Sequence, residues 1–158
     1  MDIRTLLWGR KKSQEIFPLI PPSRRDMSQV YDYSVIIPAY NEEEFLPATL
    51  AALEQARNEL RSLRGECILV DNQSTDKTST VAKKYGCTVV EETIRQIARV
   101  RNTGAKAAHG KYLIFVDADT IVPTATFRQA LQALESGNYE CGGARLSFDH
   151  NYGRWFSG

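Results

Sequence analysis

Four short runs of apolar and β-branched residues recur along the chain: YSVIIPAY from Tyr33, CILV from Cys67, CTVV from Cys87 and KYLIFV from Lys111. Segments with helical periodicity fall between and after them, and no other feature restricts the fold so strongly. Runs of about four to eight such residues, closed by Pro, Gly, Asn or Asp, read as strands. Strands that are apolar on both faces need cover on both faces, and intervening helices supply it. The alternation predicts an α/β chain, a three-layer α/β/α sandwich around a mostly parallel, doubly wound sheet.

The helical segments are marked by their own signals. Asn41 and Glu44 have the spacing of a capping box, ahead of Leu46, Leu50, Leu53 and Leu60 on one helical face, and Pro47 is tolerated if it lies in the first turn. Thr78 to Tyr85 reads as a short helix stopped by Gly86. In RNTGAKAAHG the alanines and Gly104 permit a tightly packed helix ending at Gly110. Pro123 and Thr124 open a further helix, with Phe127, Ala130, Leu131 and Leu134 at i, i+3, i+4 and i+7 and a stop near Gly137. Tyr139 to Phe148 alternates loosely and is expected to be another strand. Residues 1–32, punctuated by Pro18, Pro21 and Pro22, read as an N-terminal arm, and residues 33–158 as one domain.

Composition bounds the partners. At 158 residues, 42% hydrophobic and 25% charged, the chain can bury one sizeable core but not two. Net charge is +1, with six Lys/Arg against three Asp/Glu in Met1 to Val30, so the remainder is mildly acidic and no nucleic-acid partner is expected. Cys67, Cys87 and Cys141 are scattered, without CxxC spacing, and read as reduced thiols. No apolar run approaches the roughly 18 to 20 residues of a membrane span, and no signal-peptide core is present. A cytoplasmic location is expected, with membrane contact open only at the cytoplasmic surface or through an element outside this chain.

In open α/β sheets ligands bind outside the carboxyl ends of the strands. Three polar clusters fall there: Pro38 to Asn41, Asp71 to Asp76, and Asp117 to Asp119. Asp71 sits directly on a strand end, where a carboxylate can accept from the imide N–H of a base. Ser74, Thr75 and Asp76 read as a turn that bonds back to its own backbone and caps the next helix. Asp117 and Asp119 end the most apolar strand with two like charges, a costly arrangement unless a cation or donors offset it. Mg²⁺ or Mn²⁺, completed by phosphates and water, suits so few carboxylates, whereas zinc spacing is absent. His109 is expected to interact with the end of the preceding helix. Arg95, Arg99, Arg101 and Lys106 make that stretch basic, and Arg101 with Asn102 is the pair best suited to a phosphate or nucleoside. Neither GxGxxG nor GxxxxGK[S/T] occurs.

VIIPAYNEEEFLPATL, ILVDNQSTDKTSTVAKKYG, RNTGAKAAHG and KYLIFVDADT, in that order, resemble the family 2 glycosyltransferases of GT-A fold, a likeness covering roughly Tyr33 to Phe148. The resemblance implies a UDP- or GDP-linked sugar as donor, inverting transfer and a divalent metal. It implies Pro38, Ala39, Tyr40 and Glu42 as the loop lining the base pocket, and Asp71 in the nucleotide site. Asn72 stands where many members have a second aspartate, and keeps an amide oxygen as acceptor. Asp117 resembles the ribose-side aspartate and Asp119 the metal ligand. In the family the general base lies later in the chain, so catalysis is expected to need residues beyond Gly158, and this chain to be the donor-binding part of a longer protein, a truncation of one, or its ordered portion. The acceptor, whether lipid, glycan or protein, stays open. Two other classes stay in view: a non-catalytic nucleotide-sugar-binding module, and a nucleotidyltransferase, against which PAYNEEE supplies acid where a Gly-rich loop with a basic residue is needed.

Overall fold

Parallel pairing on both sides of one strand sets the architecture. In the computed structural model, which describes residues 6–10 and 31–144, β1 is Leu6–Arg10, β2 Tyr31–Ala39, α1 Leu46–Glu59, β3 Gly65–Asp71, α2 Thr78–Lys84, β4 Thr88–Glu91, α3 Ile97–Ala107, β5 Gly110–Phe115, α4 Thr124–Glu135 and β6 Tyr139–Ala144. The main sheet has the order β4-β3-β2-β5 with every neighbour parallel. β2 is central: Ile36 lies opposite Ile68 on one side and Phe115 on the other, and Tyr33 to Ala39 are all buried. From β2 the chain steps outward through β3 and β4, then returns to place β5 on the other side. That reversal opens a crevice at the carboxyl ends of β2 and β5.

Side-chain alternation decides which helix covers which face. Ile36, Ile68 and Val70 share one face and pack with Val100 of α3, which lies over β2, β3 and β4. Burying each of these four side chains stabilises the fold by about 1.5–3 kcal/mol. The helix comes this close because Gly104 has no side chain: a Cβ there would lie 2.4 Å from Ile36 Cγ2 and 2.8 Å from Val70 Cγ2. On the other face α2 packs against β3 and β4, with α1 beside it. There the Cys67 and Cys87 thiols, both buried, meet at 3.1 Å, and Tyr33 stacks edge-on with Phe127 of α4 at 5.3 Å between centroids.

Several local expectations change. Asn41 and Glu44 form no capping box: α1 begins at Leu46 after Phe45, with Pro47 in its first turn as expected, and Asn41 is left-handed at φ 56°. Leu60 closes α1 rather than continuing its buried face. α3 starts at Ile97 and ends at Ala107, earlier at both ends than the expected 101–110, and Gly110 instead opens β5. A Cβ on Gly110 would meet the Tyr33 and Ser34 backbone within 2.4 Å, so this glycine serves the strand contact, not a helix stop. Gly86 and Gly137 do stop α2 and α4, with φ of 74° and 70°. His109 pairs with Glu66 of β3 rather than with the last carbonyls of α3: its N–H donates to Oε1 at 2.5 Å and its Nδ1 lies 3.5 Å from Oε2. Complete cover of the sheet also fails at β5, the end strand among the described residues, where Leu113 and Phe115 are 41% and 44% exposed.

Contacts divide the chain into two units, Ile16–Arg128 and Met1–Glu15 with Gln129–Gly158. The first contains the parallel sheet. In the second, β1 pairs antiparallel with β6, from Leu6 opposite Ala144 to Arg10 opposite Tyr139. Residues 6–10 of the expected arm are thus a strand, and the last expected strand joins this ladder, not the parallel sheet. Its continuation to Phe148 lies outside the described residues. Among the described residues no helix is long and apolar enough to cross a membrane.

Candidate functional site

Three strand ends build one cleft. Pro38 and Ala39 finish β2, Tyr40 and Glu42 follow them, Asn72 follows β3, and Asp117, Ala118 and Asp119 follow β5. With Arg95, Gln96, Ile97 and Val100 these residues line a cleft of about 490 Å³ at the crevice beside β2. A cleft of this size accommodates a ligand of nucleotide dimensions. Tyr40, Ile97 and Val100 give it apolar surface, and Glu42, Asp117 and Asp119 make its charge mainly negative.

The two carboxylates after β5 are held by the residue between them. Val116 N–H donates to the Ile36 carbonyl, continuing the sheet by one residue. Ala118 is buried, and its carbonyl accepts the hydroxyl of the fully buried Thr49 of α1 at 2.7 Å. Asp117 and Asp119, on either side, are exposed. Asp117 Oδ1 accepts from Arg101 Nη2 at 3.0 Å, so its charge is already offset by a cation from α3. Among the described residues Asp119 has only the Thr120 hydroxyl, at 3.5 Å, and is the carboxylate with coordination to spare. Glu42 feels it: burial first, then the charges of Asp119 and Asp76, push the Glu42 carboxyl above its ordinary value. No group of three or more metal-ligating side chains occurs among the described residues. One or two carboxylates are nevertheless what Mg²⁺ or Mn²⁺ uses when phosphates and water complete its shell, and Asp119 fits that donor set.

Asp71 and Asn72 serve the cleft differently. Asp71 is buried and does not line it. Burial alone would raise its carboxyl, but hydrogen bonds from Ser79 and Ser74 outweigh that effect and hold it below the usual range. Its Oδ1 accepts the Ser74 N–H at 2.8 Å and its Oδ2 the Ser79 hydroxyl. Asn72 does line the cleft. Its amide nitrogen donates to the carbonyls of Glu92 at 2.6 Å and Ile94 at 3.3 Å, pinning the loop before α3 and leaving its oxygen, among the described residues, as an uncommitted acceptor. Arg101 is not a lining residue; it reaches the cleft through Asp117.

The loops after β2 and β3 are fastened to each other by bonds that spacing alone does not reveal. Asn41 N–H donates to Ser74 Oγ at 3.0 Å, Glu42 N–H to Thr78 Oγ1 at 2.8 Å and Glu43 N–H to Asp76 Oδ2 at 3.0 Å. In return Asn41 Oδ1 accepts the Thr75 N–H and Glu43 Oε2 the Lys77 N–H, each at 2.8 Å. The turn expected for Ser74, Thr75 and Asp76 is present, but much of its bonding runs across to the neighbouring loop. Asn41 was the available signal, since asparagine tolerates the left-handed conformation better than most residues. Arg95, Gln96, Ile97, Val100 and Ala118 are lining residues that the sequence reading did not place in the site. In the sequence Arg95 is one charge of a basic stretch.

The family model described as glycosyl transferase family 2 matches residues 34–157. The chain belongs to that family. Among curated relatives of this chain, the uncharacterized glycosyltransferase EpsJ of Bacillus subtilis (strain 168) is 32% identical over 124 residues, which cover 73% of this chain and 35% of that protein. Among solved structures, Staphylococcus aureus TarS residues 1–349 in complex with UDP-GlcNAc superposes with a TM-score of 0.55 at 28% identity, covering 66% of this chain and 31% of that one. The mannosyltransferase PcManGT of Pyrobaculum calidifontis, in complex with GDP-Man and Mn²⁺, gives a TM-score of 0.59 at 28% identity, covering 68% and 33%. The chain thus spans about a third of the length of these relatives. The parallel sheet with flanking helices agrees with the GT-A-type fold expected from the sequence.

Proposed function

We propose that the cleft binds a nucleoside-diphosphate sugar, UDP- or GDP-linked, together with Mg²⁺ or Mn²⁺, for inverting transfer of the sugar to a lipid, glycan or protein acceptor. The observation that carries this reading is the meeting of Pro38–Glu42, Asn72 and Asp117–Asp119 in one cleft at the sheet's switch point. The TarS complex with UDP-GlcNAc and the PcManGT complex with GDP-Man and Mn²⁺ support the ligand class.

Each residue then has a task that follows from its chemistry. Tyr40, with Ile97 and Val100 beside it, offers a flat apolar wall for a nucleobase. Asp71, whose two oxygens accept from Ser74 and Ser79, braces the turn behind the nucleotide site, and the Asn72 oxygen is the acceptor for ring or exocyclic N–H groups. Asp117 accepts from a ribose hydroxyl, and Arg101 fixes its orientation. Asp119 holds the cation, and a bound divalent ion supplies positive charge against the diphosphate as it departs. Thr49 keeps both carboxylates in register by holding the Ala118 carbonyl between them.

Ligand-observed NMR with UDP-GlcNAc and GDP-mannose tests the reading. Saturation transfer from the protein to the base and ribose protons of one of them is the expected result. Absence of transfer from both, with and without Mg²⁺, removes the donor-site assignment.

A further inference from the structure

We infer that Arg95 is a phosphate-binding residue of the donor cleft, stored on the Tyr40 ring; the inference rests on the donor-site reading above and deepens it. The guanidinium carbon of Arg95 lies 4.3 Å from the Tyr40 ring centroid, and both residues line the cleft. The other charged lining residues are the carboxylates Glu42, Asp117 and Asp119. Neighbouring arginines are committed elsewhere: Arg101 to Asp117 at 3.0 Å and Arg99 to Glu92 at 3.9 Å. Among the described residues Arg95 has no carboxylate partner. Among the described residues it is therefore the one lining cation, and its charge is met there by a ring face.

Relative strengths decide what such an arginine does. A guanidinium over an exposed aromatic ring is held weakly, whereas a guanidinium on a phosphate makes bidentate, charge-assisted bonds. A diphosphate entering a cleft of carboxylates meets repulsion that one divalent cation only partly offsets, and Arg95 supplies the next positive charge. The segment that carries it keeps its place, because Asn72 holds the carbonyls of Glu92 and Ile94, and Glu92 Oε1 accepts the Ile94 N–H at 2.9 Å. The side chain itself is exposed, so turning it away from the ring costs no core contact. The ring it rests on is also the wall proposed for a base, so ring and guanidinium serve the same cleft.

The experiment compares wild type, Arg95→Ala and Arg95→Lys in titrations with UDP and GDP in Mn²⁺, and with uridine and guanosine by ligand-observed NMR. Arg95→Ala is expected to weaken the bound nucleoside diphosphate about tenfold or more. It should leave any nucleoside binding within about twofold and the unfolding midpoint unchanged. Arg95→Lys should recover part of the loss, since the charge remains but the fork does not. Diphosphate affinity that is unchanged or improved in Arg95→Ala overturns the inference, as does an equal loss for nucleoside and diphosphate, which assigns Arg95 to the ring stack alone. If wild type binds neither diphosphate, the donor-site reading fails first and this inference with it. If wild type binds and Arg95→Ala binds equally well, only the inference fails.

Discussion

Thr49→Val isolates the bond that positions the two carboxylates. The Thr49 hydroxyl is fully buried and donates to the Ala118 carbonyl at 2.7 Å, joining α1 to the turn after β5. Valine keeps the shape and has nearly the same helix propensity, so the change removes the donor and little else. It leaves the buried Ala118 carbonyl without that partner, at a cost of about 1–3 kcal/mol. With a urea dependence of about 2 kcal/mol per molar, the unfolding midpoint should fall by about 0.5–1.5 M. The same variant should weaken Mn²⁺-dependent nucleotide binding, because Asp117 and Asp119 flank the released residue. Urea unfolding followed by fluorescence reads the first effect and calorimetry the second. A midpoint within error of wild type together with unchanged binding would refute the view that this hydrogen bond holds the pair in register.

Asn72→Asp should destabilise the fold by about 1–3 kcal/mol, because a carboxylate would face the Glu92 and Ile94 carbonyls where an amide now donates to both; urea unfolding checks it. Gly104→Ala sets a gain in helix propensity of about 1 kcal/mol against overpacking of about 1–3 kcal/mol, since the new Cβ would lie 2.4 Å from Ile36 Cγ2. A net loss of stability is expected from that contact, and a more stable variant would show that α3 shifts freely. Asp71→Asn should be less stable than wild type at neutral pH, with a deficit that shrinks as pH falls below about 4. The sign follows from the lowered Asp71 carboxyl: its stabilisation is present above the unfolded value and lost as pH drops through the folded one. Urea midpoints at pH 7 and pH 3 measure it, and a deficit equal at both would contradict the ionised role.

The parts of this structure legible in the sequence are those written in local pattern. The apolar runs from Tyr33, Cys67, Cys87 and Lys111 become β2 to β5, because each is long enough to be a strand and is closed by a residue that ends one. The strand ends then fix where Pro38 to Glu42, Asn72 and Asp117 to Asp119 meet. What the sequence hid depends on distant partners. Asn41 and Glu44 have capping-box spacing, yet Asn41 is drawn to Ser74 and Thr75, more than thirty positions on, by bonds that no local window contains. Arg95 looked like one solvated charge among several until Asn72 fixed its loop beside Tyr40. Leu6 to Arg10 read as an arm because a two-stranded antiparallel ladder depends on its partner, Tyr139 to Ala144, at the other end of the chain.

The central claim is that the carboxylates after β5 hold a metal-bound nucleotide sugar, with Asp119 as the residue that takes the cation. Calorimetric titration of wild type and Asp119→Ala with UDP- and GDP-sugars, with and without Mn²⁺, tests it most directly. Asp119 is exposed and, among the described residues, makes no bond closer than 3.5 Å, so its removal should leave the fold intact. Wild type is predicted to bind at least one donor more tightly with Mn²⁺, and Asp119→Ala to lose that metal-dependent gain. A variant that keeps the full gain, or a wild type that binds no donor in either condition, would contradict the account.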